Sequence, residues 1–489
     1  MLIDVVNFTF AYEGSHDNIF ENVRFQIDSD WRLGFTGRNG RGKTTFLRCL
    51  TGELAYSGTI SAPGLTFSYF PVGIEDMEEA TLPALLRAAP EAEEWELLRE
   101  LNLLEIPDNA LERPFRTLSS GEQTRAALAT LFLRDGGFAL IDEPTNHLDM
   151  EARELVGEYL RRKRGFILVS HDRALLDRCT DHTLSINRAD IQVVRGGFST
   201  WWENKRRQDE FELAENEKLR QEIGRLKETA REKADWSDRL EATKIGMGAA
   251  DRGAIGAKAA RMMKRSKAIE GRRERAIEEK SKLLKNLDRQ EDLKLAPLAY
   301  RAERLLELRD VTISYGDDPV CTGVTMEVKR GERIALTGRN GSGKSSILKL
   351  ILGEDILHTG QVSVGSGLKI SYVRQDTSDL AGTLHDYAVS YGIDESVFLS
   401  ILRKLGFERV QFEKPLEDFS AGQKKKVLIA RSLCEQAHLY IWDEPLNYID
   451  VISRMQIEDL IGRFAPTMLF VEHDRAFCET LATRTVDLT

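Results

Sequence analysis

At 489 residues, 42% hydrophobic and 30% charged, the chain is long enough for roughly three domains and apolar enough to bury their cores. Its formal net charge of −10 argues against a surface drawn as a whole to nucleic acid, so any such contact needs a local patch. No apolar run approaches the ~20 residues of a membrane-spanning helix. The opening MLIDVVNFTF lacks the basic start and small-residue cleavage site of a secretory signal. Cys49, Cys179, Cys321, Cys434 and Cys478 show neither metal-ligand spacing nor a disulfide framework, and a cytoplasmic protein is expected.

In chain order, the first element is an apolar stretch, VNFTFAYEG, that carries Tyr12. WRLGFTGRNGRGKTTFLRCLTGEL follows, a strand running into a glycine-rich turn and then a helix. SYFPVGIED, LSSGEQTRAALAT, FALIDEPTNHLD and FILVSHDR complete the first set. After residue 300 the same items return in the same order: LRDVTISYG with Tyr315, ERIALTGRNGSGKSSILKLILGED, SYVRQD, FSAGQKKKVLIAR, LYIWDEPLNYID and MLFVEHDR. This is a tandem duplication of an α/β domain. The short apolar runs FALI, LYIW, FILVS and MLFVE suit parallel strands buried on both faces. The expected domains are 1–202 and 301–489.

Residues 203–300 differ in kind. Lys, Arg, Glu, Gln, Ala and Leu dominate, and Pro297 is the sole proline there. Leu219, Ile223, Leu226 and Ala230 keep the step of a coiled-coil seam, and Ile277, Leu284 and Leu287 keep a similar one on the return. Between them lies IGMGAADRGAIGAK, glycine-rich and without apolar period. The expectation is a long antiparallel helical hairpin with its tip near 240–257. A helix of ~35 residues would reach about 50 Å.

The chemistry lies in the paired motifs. Gly37, Asn39, Gly40, Gly42, Lys43, Thr44 and Thr45 form a phosphate-binding loop, as do Gly338, Asn340, Gly341, Gly343, Lys344, Ser345 and Ser346. The glycines let backbone N–H groups turn toward a phosphate at a helix N-terminus. Lys43 and Lys344 would meet phosphate oxygens, while Thr44 and Ser345 would offer hydroxyls to Mg²⁺. Asp142 and Asp443 each end an apolar run, where a carboxylate suits Mg²⁺; the following Glu143 and Glu444 can polarise water. His171 and His473, each after a second apolar strand, could hold a phosphate and that water. Tyr12 and Tyr315 could stack on a nucleotide base.

Together these elements resemble the ATP-binding cassette ATPases. The family's signature, LSGGQ, stands here as Leu118-Ser119-Ser120-Gly121-Glu122 and Phe419-Ser420-Ala421-Gly422-Gln423. The resemblance implies two phosphate-loop ATPase domains facing head to tail, with ATP and Mg²⁺ as cofactors. One site would pair the first loop, Asp142, Glu143 and His171 with Ser420 and Gly422. The other would pair the second loop, Asp443, Glu444 and His473 with Ser119 and Gly121. The family's glutamine after a strand is met by Gln375, a further ligand for metal or water, but Val72 stands in its place in the first copy. The first site is therefore expected to be slower.

With no membrane span, two arrangements of fused cassettes remain: a soluble ATPase subunit of a permease, and the ABC-F group, which acts on ribosomes. The long charged hairpin and the wording DEPTNHLD look like ABC-F. From 252 to 275 the hairpin carries nine basic residues against two acidic ones, with Arg252, Lys258, Arg261, Lys264, Arg265 and Lys267 as the RNA-contact candidates. Too few residues separate Val72 from Leu118 for an inserted arm of the kind typical of housekeeping factors. The second half resembles the Lsa-type resistance group. The resemblance implies a monomeric protein that places its hairpin in the tRNA exit site of the 70S ribosome, near 23S rRNA and the P-site tRNA. There it would protect the large subunit from lincosamides, streptogramin A and pleuromutilins. A housekeeping factor that rescues stalled ribosomes is the alternative.

Overall fold

The computed structural model describes residues 1–14, 18–133, 137–146, 148–187, 190–242, 295–316 and 318–488. The chain divides into two compact units, Met1–Trp201 together with Glu291–Thr489, and Trp202–Gln290. The first unit holds both copies of the duplicated domain.

The first copy runs β1 (Leu2–Phe10), β2 (Phe20–Asp28), β3 (Arg32–Thr36), β4 (Ser57–Ser61), β5 (Thr66–Phe70), β6 (Gly137–Asp142), β7 (Phe166–Val169), β8 (His182–Asn187) and β9 (Asp190–Arg195). The second runs β10 (Arg304–Tyr315), β11 (Asp318–Lys329), β12 (Arg333–Thr337), β13 (His358–Val364), β14 (Ile370–Val373), β15 (Leu439–Asp443), β16 (Met468–Val471) and β17 (Arg484–Asp487). The sheet orders repeat: β5-β6-β7-β3-β8-β9 is answered by β14-β15-β16-β12-β17, and β2-β1-β4 by β11-β10-β13. The larger sheets are parallel, except for the β8–β9 hairpin that closes the first. The small three-stranded sheets are antiparallel.

Burial explains the assignments. FILV of β7 and MLFV of β16 are buried at every position, as strands covered on both faces must be. In β1 the buried side chains are Ile3, Val5, Phe8 and Phe10, one face of a half-exposed strand. Phe8, Phe20, Phe35 and Phe46 form one aromatic cluster that joins the small sheet to the large one through the helix Lys43–Leu50. The corresponding junction in the second copy is aliphatic, with Ile313, Ile334, Ile347 and Leu348 in one core.

Register places the ends of the parallel strands. Phe70 lies opposite Ile141, and Val373 lies opposite Trp442. Asp142 and Asp443 therefore end adjacent strands in equivalent positions, and Val72 and Gln375 fall at equivalent positions two residues past their own strands. Ligands of open α/β sheets bind at such C-terminal strand ends.

The charged region opens with one helix, Phe198–Ala242, of 45 residues, about 67 Å at 1.5 Å per residue. At its start Phe198 and Trp201 are buried, their ring centroids 5.5 Å apart. The seam positions Leu219, Ile223, Leu226 and Ala230 all fall within it. The expected return helix with Ile277, Leu284 and Leu287, most of the expected tip near 240–257, and the RNA candidates Arg252, Lys258, Arg261, Lys264, Arg265 and Lys267 lie outside the described residues. Among the described residues no helix is long and apolar enough to cross a membrane.

Candidate functional site

Each phosphate loop leaves its central strand, β3 or β12, and enters a helix whose N-cap is a left-handed glycine: Gly42 at φ 93° and Gly343 at φ 86°. At Gly42 a Cβ would also meet Ile19 Cγ2 at 2.5 Å and the Phe20 ring at 2.9 Å, so both backbone and space demand glycine. Lys43 Nζ donates to the carbonyls of Gly37 (2.8 Å) and Arg38 (3.2 Å); Lys344 Nζ donates to those of Gly338 (2.8 Å) and Arg339 (2.7 Å). Both ammonium groups thus sit at their loops, and burial lowers the pKa of each against the pull of nearby carboxylates.

Thr44 Oγ1 donates to Asp142 Oδ2 at 2.6 Å, and Ser345 Oγ to Asp443 Oδ1 at 3.2 Å. A hydroxyl beside a carboxylate is the oxygen donor set that a small hard cation takes, so the residues fit Mg²⁺. Tyr12 and Tyr315 are about half exposed at the mouths of the two loops, and their hydroxyls bond Thr45 (2.9 Å) and Ser346 (3.1 Å).

The glutamates sit just past the strand ends in strained, left-handed backbone, Glu143 at φ 52° and Glu444 at φ 45°. Their surroundings differ. Glu143 Oε1 lies 3.2 Å from His171 Nε2 and is a buried oxygen without a hydrogen bond among the described residues. Burial, then Asp142, pushes its carboxyl up to about 8. Burial, then Lys43, also pushes the pKa of His171 well down. Glu444 Oε2 accepts from Gln375 Nε2 at 2.8 Å and Asn447 Nδ2 at 2.6 Å. Burial alone would raise Glu444, but His473 beside it and the Asn447 amide hold its carboxyl below the ordinary value. Its neighbour Asp443 is raised by burial to about 6.

The two copies meet over the first loop. A cavity of about 590 Å³, within the range of small-molecule sites, is lined by Lys43, Thr44, Asp142, Glu143 and His171 from one side and by Ser420 and Gly422 from the other. Asn39 Nδ2 donates to the carbonyl of Tyr448 across the junction at 2.7 Å. A Cβ on Gly422 would meet that same carbonyl at 2.4 Å, so glycine is required where the copies touch. Ser420 caps the helix Ala421–Cys434, accepting from Gln423 N, and Ser119 caps Ser120–Ala129 through Glu122 in the same way. A Cβ on Gly121 would meet Leu148 Cδ2 at an ordinary 3.5 Å within its own copy. Around the second loop the junction is spanned by Arg339 and Glu151, 3.2 Å apart.

Three groups beside these were not singled out by sequence. Asn447 could have been, since it stands three residues after Glu444 in a motif that repeats as Asn146. The Tyr448 carbonyl and Lys425 carry no local signal, because their partners are distant in the chain.

Two phosphate loops, two carboxylate pairs and a cavity shared between copies define a tandem nucleotide-hydrolysing P-loop protein. The ABC transporter family matches residues 20–146 and 321–447, more than half of the chain. The ribosome protection protein VmlR of Bacillus subtilis is 28% identical over 479 residues, spanning 96% of this chain and 84% of that protein. The energy-dependent translational throttle protein EttA of Haemophilus influenzae is 25% identical over 523 residues, 96% of this chain and 89% of that one. Among solved structures, the complex of the archaeal ribosomal stalk protein aP1 with the archaeal ribosome recycling factor aABCE1 matches 98% of this chain and 87% of that one, with a TM-score of 0.65 at 20% identity, a likeness of fold. The chain belongs to the ABC transporter family, as a tandem-cassette ATPase of its ABC-F group. It binds and hydrolyses ATP.

Proposed function

We propose that this cytoplasmic ATPase acts on the bacterial ribosome and protects the large subunit from lincosamide, streptogramin A and pleuromutilin antibiotics. The observation that carries an ATP-driven clamp is the shared cavity over the first loop, where Ser420 and Gly422 of the second cassette face Lys43 and Glu143 of the first. ATP bound there touches both cassettes, so it favours their closed arrangement. The ribosome enters through the relatives: one is named a ribosome protection protein and another a translational throttle protein.

In this reading the backbone of each loop, with Lys43 or Lys344, holds the phosphates. Tyr12 and Tyr315 hold the base. Thr44 with Asp142, and Ser345 with Asp443 and Gln375, would hold Mg²⁺, which when bound neutralises charge on the phosphates. Glu143 and Glu444 orient and deprotonate the attacking water, and His171 and His473 position it. Ser119 and Gly121 close the second site. Closure sets the hairpin in a form that enters the tRNA exit site, where Arg252, Lys258, Arg261, Lys264, Arg265 and Lys267 contact 23S rRNA or tRNA phosphates and the tip displaces drug. Hydrolysis reopens the clamp.

The test is co-sedimentation of the Glu143→Gln, Glu444→Gln double variant with 70S ribosomes. Pelleting only with ATP is expected; equal pelleting without ATP, or none, contradicts the reading. The likeness to EttA favours a second reading, a translation factor that works without any drug. In a translation extract, rescue from lincomycin by the wild-type chain supports protection. Stimulation only in drug-free extract supports the second reading.

A further inference from the structure

Lys425 sits on the helix Ala421–Cys434 and is 2% exposed. Its ammonium donates to three backbone carbonyls, Arg374 at 2.7 Å, Gln375 at 3.0 Å and Asp443 at 3.3 Å. Two of these belong to the segment that follows β14 and carries Gln375. The third is the end of the neighbouring strand β15. Gln375, so held, reaches Glu444 Oε2 with its amide. A buried ammonium is costly unless its protons are taken up, and here carbonyls of two separate segments take them, which ties those segments together.

The first cassette makes the comparison. Aligned on Gly121 and Gly422, the residue matching Lys425 is Thr124, whose hydroxyl turns back to the Ser120 carbonyl of its own helix at 2.8 Å. That cassette also has Val72 where the second has Gln375. The lysine and the glutamine occur together in one copy and are absent together from the other.

We propose that Lys425 is a positioning residue of the second ATP site: it fixes the backbone at 374–375 against the end of β15 and so aims the Gln375 amide at Glu444. The inference rests on the reading of Gln375 and Glu444 as second-site groups. The same helix begins at Ser420 and Gly422, which face the first loop, so one element carries both the hold on Gln375 and the closure of the other site.

The experiment uses the full chain with the first site silenced by Glu143→Gln, and compares Lys425→Thr, Gln375→Ala and their combination. Backbone hydrogen exchange of the nucleotide-free protein is read first. Lys425→Thr is expected to speed exchange at 374–378 while leaving Met468–Val471 unchanged. Single-turnover hydrolysis is expected to slow about tenfold, the lower end for loss of a group that orients a site residue, with little change in affinity for a fluorescent ATP analogue. The double variant is expected to be no slower than Gln375→Ala alone. Unchanged exchange at 374–378, or a further loss in the double variant equal to that of Lys425→Thr by itself, overturns the proposal. If Gln375→Ala turns over normally, the reading of the second site fails instead, and the exchange result still judges the hold of Lys425. Lys425→Gln, which keeps a donor on a shorter stem, is read the same way if the threonine variant does not fold.

Discussion

The two ATP sites share one backbone plan and differ in what surrounds the glutamate. Glu444 accepts hydrogen bonds from the Gln375 and Asn447 amides, and its carboxyl is held below the ordinary value. Glu143 has Val72 at the place of the glutamine, an oxygen without a hydrogen bond among the described residues, and a carboxyl pushed up to about 8 by burial and Asp142. The cavity over the first loop is lined from both cassettes. Duplication has kept the parts that bind phosphate and let the parts that aim water diverge. We propose that the second site cleaves ATP faster than the first.

The comparison extends to the scaffolds, where the largest effect is expected. In the first cassette the helix Glu94–Leu103 buries Glu100, which accepts from Tyr159 OH at 2.8 Å and from Lys163 Nζ at 2.5 Å; the equivalent helix Glu395–Lys404 buries Ile401 there. Removing one partner of a buried pair is costly, so Glu100→Ala should lose about 3 kcal/mol in chemical denaturation. Burial works to raise Glu100, but the bonds from Lys163 and Tyr159 prevail and hold it below the ordinary 4.5. Its contribution is therefore full above pH 4.5 and disappears as pH falls through the lower folded value. Acid titration followed by hydrogen exchange should open the helix Glu94–Leu103 before Glu395–Lys404. The reverse order breaks the contrast.

Next come the loop glycines. Both Gly42→Ala and Gly343→Ala strain a left-handed residue, but only at Gly42 does the new Cβ fall under 3.0 Å from its neighbours. Overpacking should make Gly42→Ala about 2 kcal/mol more costly than Gly343→Ala in thermal unfolding. Equal costs would mean that β2 yields freely around Ile19 and Phe20. A smaller loss is expected at the cassette junction. Asn39→Ala removes the bond to the Tyr448 carbonyl and should weaken ATP affinity at the first site by about 1 kcal/mol, read by titration of the Glu444→Gln protein. The smallest change is Val72→Gln, which should raise first-site turnover modestly while leaving affinity alone; no change would show that the amide needs the lysine hold found only in the second cassette.

Much of this was legible in the sequence because its signals are local. Glycines at fixed spacing and apolar runs ending in Asp142 and Asp443 each depend on a few neighbouring residues, and the structure sets them at helix starts and strand ends. The duplication made each such reading a double one, and the Val72–Gln375 difference came from it directly. What was hidden depends on partners far along the chain. The carbonyl of Tyr448 meets Asn39 only when the copies pack, and Lys425 in a run of three lysines reads as solvated surface until its helix is laid against β14 and β15. The β8–β9 hairpin likewise has no motif to announce it.

Single-turnover hydrolysis by the Glu143→Gln and Glu444→Gln proteins tests the inequality of the two sites most directly. Each variant leaves one intact site. The Glu143→Gln protein, with the second site working, is expected to cleave its bound ATP faster than the Glu444→Gln protein does. Equal rates, or a faster first site, would contradict it.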